Sequence, residues 1–227
     1  MQLIIFDCDG TIVDSQHAIS AAMAAAFEEH GLEAPVRARV LGVVGLSLIE
    51  AVERLLPKTV SGHAAEVIAQ SYKNAFTSLR QQPDHHEPLY EGALETLTGL
   101  AGRDDVVLGI ATGKSRRGVD ALFEREGLAG HFVTIQTADD HPSKPHPSMI
   151  EQAMLEVGAE PGQTVMIGDT TYDIEMALAA DVAGLGVDWG YHPRQMLVAA
   201  GAHEIVSDYS DVAAAADRLL KSGGKVT

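Results

Sequence analysis

Short apolar runs, many of them β-branched, recur along the chain and end in small or acidic residues. They are Leu3–Phe6, Val106–Ala111, Phe132–Ile135, Val165–Ile167, Leu185–Val187 and Glu204–Val206. Continuous apolar runs of this kind predict strands buried on both faces. Between the later runs, apolar residues return at helical spacing over Ser115–Glu126, Pro147–Val157, Thr171–Ala180 and Pro193–Ala200. Strand alternating with helix predicts an α/β fold, a parallel sheet with helices on both faces. In such sheets ligands bind at the carboxyl ends of the strands, where the small and acidic residues of this chain fall.

About a hundred residues separate the first run from the second, too many for a structureless crossover. Helical patterns fill the gap: Ala18–Glu29, Leu46–Leu56 and Gly62–Leu79, punctuated by Gly31, Pro35, Gly42, Gly45 and Pro57. The pattern predicts a helical insertion, entered near Asp14 and left near Pro83–Pro88. The expected division is a core of residues 1–14 and 88–227 and an inserted unit of 15–87, joined by two crossings of the chain and so able to hinge.

Composition narrows the function. The 227 residues are 46% hydrophobic and 21% charged, ordinary for a folded protein. A formal net charge of −16 repels phosphate backbones and anionic lipid at long range, so neither nucleic acid nor membrane is an expected partner. A small anionic substrate stays open, because a few local cations override the global field. The single cysteine, Cys8, leaves no internal disulfide. The acid at position 7 and the absence of a basic start do not fit a secretory signal, and no run of 18 apolar residues occurs, so a cytoplasmic enzyme is expected.

Candidate chemistry lies at the predicted strand ends. In Phe6-Asp7-Cys8-Asp9-Gly10-Thr11 two carboxylates two residues apart share a side if the strand geometry continues. Carboxylates so placed repel and call for a cation, a shared proton or a function. The spacing does not fit an EF-hand loop. Gly168-Asp169-Thr170-Thr171-Tyr172-Asp173 places a further acid at a strand end and another one helical turn on. Asp169 alone could be a helix cap, but four converging acids suit a hard cation such as Mg²⁺. Thr112-Gly113-Lys114 superficially fits a phosphate-binding P-loop, yet Gly109 stands one residue too close. It reads better as a hydroxyl and backbone N–H groups offered to one phosphoryl group. Lys144 stands in Ser143-Lys144-Pro145-His146-Pro147, a stretch of restricted backbone. Cys8 is expected to point into the core, and His85, His86, His141 and His146 show no ligand spacing.

Taken in order, Asp-x-Asp-Gly-Thr, Thr-Gly, Lys-Pro and Gly-Asp-x-x-x-Asp resemble the haloacid dehalogenase-like hydrolase superfamily over nearly the whole chain. Tyr90-Glu91-Gly92, Thr112–Arg117, Trp189–Pro193 and Ala200-Gly201-Ala202 resemble its phosphoglycolate phosphatase-like members. The chain departs from them in Glu91, where proline is usual, and in Asp181, where glycine is usual. The resemblance implies a Rossmann-like doubly wound parallel sheet with an inserted α-helical cap. It implies a Mg²⁺-dependent phosphatase acting on a small phosphorylated metabolite, a phosphoglycolate-like monoester, through an aspartyl-phosphate.

By the same resemblance Asp7 is the nucleophile and Asp9 the acid and base. Thr112 and Lys144 hold the phosphoryl oxygens, with Cys8, Gly10 and Gly113 beside them. Asp7, Asp169 and the Asp9 backbone carbonyl ligate the metal, and Asp173 does so through water or orients the others. Arg37, Arg39, Lys58 and the Gly42–Leu48 turn are candidate cap contacts to the rest of the substrate. The alternatives are a phosphosugar mutase, disfavoured by Gly-Asp in place of Glu-Asp, and a non-enzymatic phospho-Asp receiver, disfavoured by motif order and length. A dehalogenase would need neither Asp9 nor the metal acids.

Overall fold

The structure is a computed structural model, and it describes residues 1–58, 63–80 and 87–222. Gly62, the His85-His86 pair, most of the Pro83–Pro88 exit and the C-terminal residues 223–227 lie outside the described residues. Six strands form one sheet: β1 (Gln2–Phe6), β2 (Val106–Thr112), β3 (Phe132–Thr137), β4 (Thr164–Gly168), β5 (Ala183–Val187) and β6 (Glu204–Val206). All pairings are parallel, in the order β3-β2-β1-β4-β5-β6. This is the doubly wound order in which successive strands are added to one side as far as β3 and to the other from β4 on, leaving a crevice at the carboxyl ends of β1 and β4.

Side chains alternate across the strands and so supply two cores. Ile4 and Phe6 of β1 face one way, with Leu108, Ile110, Val165, Ile167 and Leu185. They meet α5 (Ala93–Ala101), α6 (Arg116–Glu126) and α10 (Val212–Lys221) through Leu97, Leu100, Val119, Leu122, Ala216 and Leu220. Leu3 and Ile5 face the other way with Met166, against α7 (Ser148–Val157) and α8 (Thr171–Ala179) through Met149, Ile150, Ala153 and Met176. Helix α9 (Arg194–Ala200) follows β5. Thus all six predicted strands are present, and the doubly wound sheet is the observed one.

Among the described residues, four helices lie between β1 and α5: α1 (Gln16–Glu29), α2 (Arg37–Leu41), α3 (Leu48–Leu55) and α4 (His63–Arg80). They bury a third cluster of their own, which includes Ile19, Met23, Phe27, Val52, Leu55 and Ile68. The chain enters beside Val13, which bridges to Leu89 near the return, so entry and exit are adjacent. Sequence reading missed α2, α5 and α10. Helix α2 is five residues long, too short for a periodic signal, whereas α10 buries Val212, Ala215, Ala216, Leu219 and Leu220 at helical spacing, a pattern the sequence does carry.

Asp181, where the resembled family carries glycine, has φ 56°. Aspartate tolerates the left-handed region better than most residues, which lets this chain keep the turn between α8 and β5 without glycine.

Candidate active site

The first strand stops at Phe6, and the chain then tightens on itself. The N–H groups of Thr11, Ile12 and Val13 all donate to the Cys8 carbonyl, and the Gly10 N–H donates to Val13 O. Gly10 takes φ +87°, and a Cβ there would lie 2.3 Å from Asp169 Oδ2. A Cβ at Gly190 would lie 2.2 Å from Asp169 Cβ and 2.3 Å from the same Oδ2. Two glycines therefore form a close cradle for Asp169, which no larger residue could form. Thr11 Oγ1 donates to Asp169 Oδ1 at 2.9 Å, and the Tyr191 N–H donates to Oδ2 at 2.8 Å.

Strand β4 carries Asp169 to the β1 edge, and α8 opens immediately after it. Thr170 caps α8, accepting from the Asp173 N–H, while Asp173 Oδ2 accepts in return from the Thr170 N–H and hydroxyl. This capping box fixes the Asp173 carboxylate. A Cβ at Gly168 would lie 2.3 Å from Asp173 Cγ, so glycine is required at the end of β4. Asp7, Asp169 and Asp173 are all buried, and each brings a carboxylate oxygen within 4.8 Å of the others.

Lys144, fully buried, enters this group. Its ammonium donates to Asp173 Oδ1 at 2.6 Å and lies 2.9 Å from Asp7 Oδ2. Asp7 Oδ2 is thus buried and ion-paired with Lys144. Asp7 Oδ1 accepts the Cys8 N–H at 2.6 Å. Burial lowers the lysine's proton affinity, but Asp173 and Asp7 outweigh it and hold Lys144 protonated, well above its ordinary pKa. Three buried carboxylates against one ammonium remain too negative. Burial, with Asp173 as neighbour, pushes the Asp7 pKa up despite Lys144, and burial with Asp173 and Asp7 pushes Asp169 up.

Asp9 turns elsewhere. Its carboxylate accepts from Ser15 Oγ at 2.5 Å and Lys114 Nζ at 2.6 Å. Burial opposes ionisation, yet Lys114 and Ser15 outweigh it and keep Asp9 below the usual carboxylate range. The strand geometry that would align Asp7 and Asp9 does not continue past Phe6, and the Asp9 carboxylate is separate from the Asp7, Asp169 and Asp173 cluster.

A cavity of about 620 Å³ opens between the sheet edge and the inserted helices. Asp7, Asp9, Thr112, Gly113 and Lys114 line its inner end. Cys8 and Gly10 do not line it, and their N–H groups are engaged by Asp7 Oδ1 and Val13 O, because the tight turn after β1 consumes them. The Gly42–Leu48 turn lines it through Val43, Val44, Gly45, Leu46, Ser47 and Leu48. Arg37 and Arg39 do not; Arg37 donates to Gln16, and Arg39 to the Arg54 and Leu55 carbonyls. Lys58 is likewise absent from the lining.

The turn touches the core directly. The Ser47 N–H donates to Ser143 Oγ at 2.8 Å, Tyr172 Oη donates to the Gly42 carbonyl at 3.0 Å, and Arg54 donates to Tyr172 Oη at 3.2 Å. A Cβ on Gly113 would stand 2.6 Å from the Leu46 carbonyl oxygen and 2.8 Å from that of Gly45. Gly113→Ala is therefore expected to hold the turn off the core. The measurement is kcat/KM with circular dichroism as control: a fall of at least about tenfold with an unchanged spectrum is expected, since misplacement of about 1 Å can cost 10²-fold.

Sequence reasoning did not find Ser15, Thr11, Tyr191 or the Lys114 contact to Asp9. Thr112-Gly113-Lys114 drew attention only as a phosphate loop, and nothing in its spacing pairs a lysine with an acid 105 residues earlier. Cys8 packs in the core beside Phe6 and Ile12 and is fully buried. Burial, then the Asp7 and Asp9 charges, push its thiol far up. It is expected to resist iodoacetamide at pH 8 in the folded protein and to label fully in denaturant, read by mass spectrometry.

The profile of the family described as haloacid dehalogenase-like hydrolase matches residues 4–187. A probable phosphatase, IndB, of Dickeya dadantii is 36% identical over 223 residues, covering 96% of this chain and 95% of its own. A phosphoglycolate phosphatase of Synechococcus elongatus is 28% identical over 97% of this chain and 100% of its own. Among solved structures, a hydrolase from Pseudomonas syringae superposes with a TM-score of 0.84 at 25% identity, over 96% of this chain and 99% of that one.

Proposed function

The chain belongs to the haloacid dehalogenase-like hydrolases and is a phosphatase of that family, and from that premise we propose that it hydrolyses a small phosphate monoester through an aspartyl-phosphate on Asp7, with Mg²⁺ as cofactor. Asp7 carries the reading: its buried carboxylate lines the cavity at the end of β1, and its Oδ2 sits 2.9 Å from the Lys144 ammonium, a cation placed to meet a phosphoryl group there. The ion pair orients the carboxylate toward an electrophile in the cavity.

The residues suit a hard divalent cation. Three buried carboxylates, one cradled by two glycines, have a negative charge that Lys144 does not balance. Asp7, Asp169 and the Asp9 carbonyl would hold Mg²⁺, with Asp173 behind them. When bound, the ion offsets charge on the phosphoryl oxygens.

In the reaction proposed, Asp7 attacks phosphorus and the ester oxygen departs, taking a proton from Asp9. Asp9 then accepts a proton from water as that water attacks the same phosphorus, releasing phosphate and restoring Asp7. Asp9 is held ionised by Lys114 and Ser15 here, the form that accepts the water proton. A phosphoryl dianion entering the cavity competes for Lys114, which loosens that hold and lets Asp9 carry the proton to the leaving oxygen. Thr112, Gly113 and Lys144 orient and neutralise the transferred group. Residues 15–87 serve as a cap over the core of 1–14 and 88–227, excluding water and meeting the organic half of the ester.

Phosphate release measures the reading. Chelation is expected to abolish turnover, and Mg²⁺ to restore it. Ca²⁺ is expected to restore little, because it tolerates bidentate carboxylates and can occupy both oxygens of Asp7. Full turnover in chelator overturns the metal assignment.

A further inference from the structure

The cavity over Asp7 is far larger than a phosphoryl group needs, and its outer wall is apolar. Its volume of about 620 Å³ lies in the range of pockets that enclose whole small molecules. A two-carbon organic half would leave most of it to water. Val43, Val44, Leu48, Tyr72 and Phe76 are partly buried side chains packed on the cap's own apolar cluster, and all five line the cavity. Met23 lines it too, from within that cluster. The cap core thus opens onto the site in place of closing beneath a polar surface. Tyr72 and Phe76, one turn apart on α4, place their ring centroids 5.6 Å apart at 34°, a tilted aromatic wall.

The cations of the cavity lining lie at its inner end or its rim. Lys114 pairs with Asp9 beside the phosphoryl position, Arg80 pairs with Glu87 at 2.9 Å and lies 4.7 Å from the Phe76 ring centroid, and Lys73 and Arg117 are exposed. A carboxylate seated against Val43, Val44 and Leu48 would lose water to apolar carbon, and to regain a partner it would have to draw Lys114 from Asp9 or Arg80 from Glu87. An apolar group there would exchange water for matching surface.

We propose that the physiological substrate is a phosphate monoester whose organic half is a bulky apolar or aromatic group, bulkier and less polar than glycolate, seated against Tyr72, Phe76 and the Val43–Val44 turn. This rests on the monoester phosphatase reading and specifies its substrate class.

The test compares ethyl phosphate, 2-phenylethyl phosphate and phosphoglycolate with Mg²⁺ present. Ethanol and 2-phenylethanol are leaving groups of similar basicity, so their ratio reads the organic half and not the chemistry. Burying one phenyl ring is expected to raise kcat/KM for the phenylethyl ester at least about 30-fold over the ethyl ester, and phosphoglycolate is expected to fall below the phenylethyl ester. Phe76→Ala is expected to reduce the phenylethyl-to-ethyl ratio several-fold. Equal rates for the two alkyl esters, or preference for phosphoglycolate, overturn the inference and leave the phosphatase reading standing. Hydrolysis of none of them by Mg²⁺-loaded protein overturns the phosphatase reading instead. In that case the cavity is read by calorimetry with phosphonates: tenfold tighter binding of 2-phenylethylphosphonate than of ethylphosphonate supports an apolar seat, and equal affinity overturns it.

Discussion

Asp7→Asn is expected to abolish turnover by on the order of 10⁴-fold or more, while the protein stays folded. The amide nitrogen and oxygen are poor nucleophiles, and no covalent phosphoryl intermediate forms on them. The substitution is nearly isosteric, and the amide oxygen can still accept the Cys8 N–H that Asp7 Oδ1 accepts at 2.6 Å. Stability moves in a direction set by the buried charge. Burial raises the Asp7 pKa in the folded protein, so the ionised carboxylate opposes folding at pH values above that raised pKa. A neutral amide removes this cost. In metal-free buffer at pH 7 the thermal midpoint of Asp7→Asn is therefore expected to equal or exceed that of the parent. Acid-quenched protein from a turnover mixture is expected to carry a phosphoryl group on Asp7 in the parent and none in the variant, by mass spectrometry. Turnover at parental rates in Asp7→Asn would move the nucleophile to another residue.

Lys144→Ala is expected to injure both activity and fold. The ammonium is fully buried between Asp7 and Asp173, 2.9 and 2.6 Å away. Its loss leaves two buried carboxylates without their shared cation, and breaking a buried pair on one side costs about 3–5 kcal/mol. Removing one charge-assisted donor from a water-poor site costs about 10²–10³-fold in kcat. The two effects separate by experiment. Mg²⁺ is expected to recover part of the lost thermal midpoint, because a cation near the same carboxylates substitutes for the missing charge, while kcat stays low. A variant as stable and as active as the parent would show that Lys144 is neither a charge partner nor a phosphoryl contact.

The chain's alternation of apolar runs and helical stretches was enough for the sheet. Buried parallel strands read as continuous Val, Ile and Leu, and Leu3–Phe6 and Val165–Ile167 are apolar for that reason. The acids at the strand ends were legible because local sequence rules place them: Asp7 directly follows β1, Asp169 directly follows β4, and Asp173 lies one turn into α8. Helix α2 was invisible because a single turn carries no period, and its place is fixed by packing of Val40 into the cap cluster.

What the sequence by itself determined is the fold class, the insertion and the residues available for chemistry, since strand and helix periodicity and motif spacing are local properties. The tertiary structure alone decided which groups meet. Lys144 reaches Asp173 across 29 residues, Lys114 reaches Asp9 across 105, and Thr11 reaches Asp169 across 158. The last two pairings follow from strand order, because β2 and β4 both flank β1 and bring their carboxyl ends together, while Lys144 comes from the loop between β3 and α7, which reaches back past β2. The same holds for the apolar cavity wall. Val43 lies in the Gly42–Leu48 turn already expected at the substrate, but Tyr72 and Phe76 read in sequence only as part of a helix, and only the tertiary structure turns them toward the site.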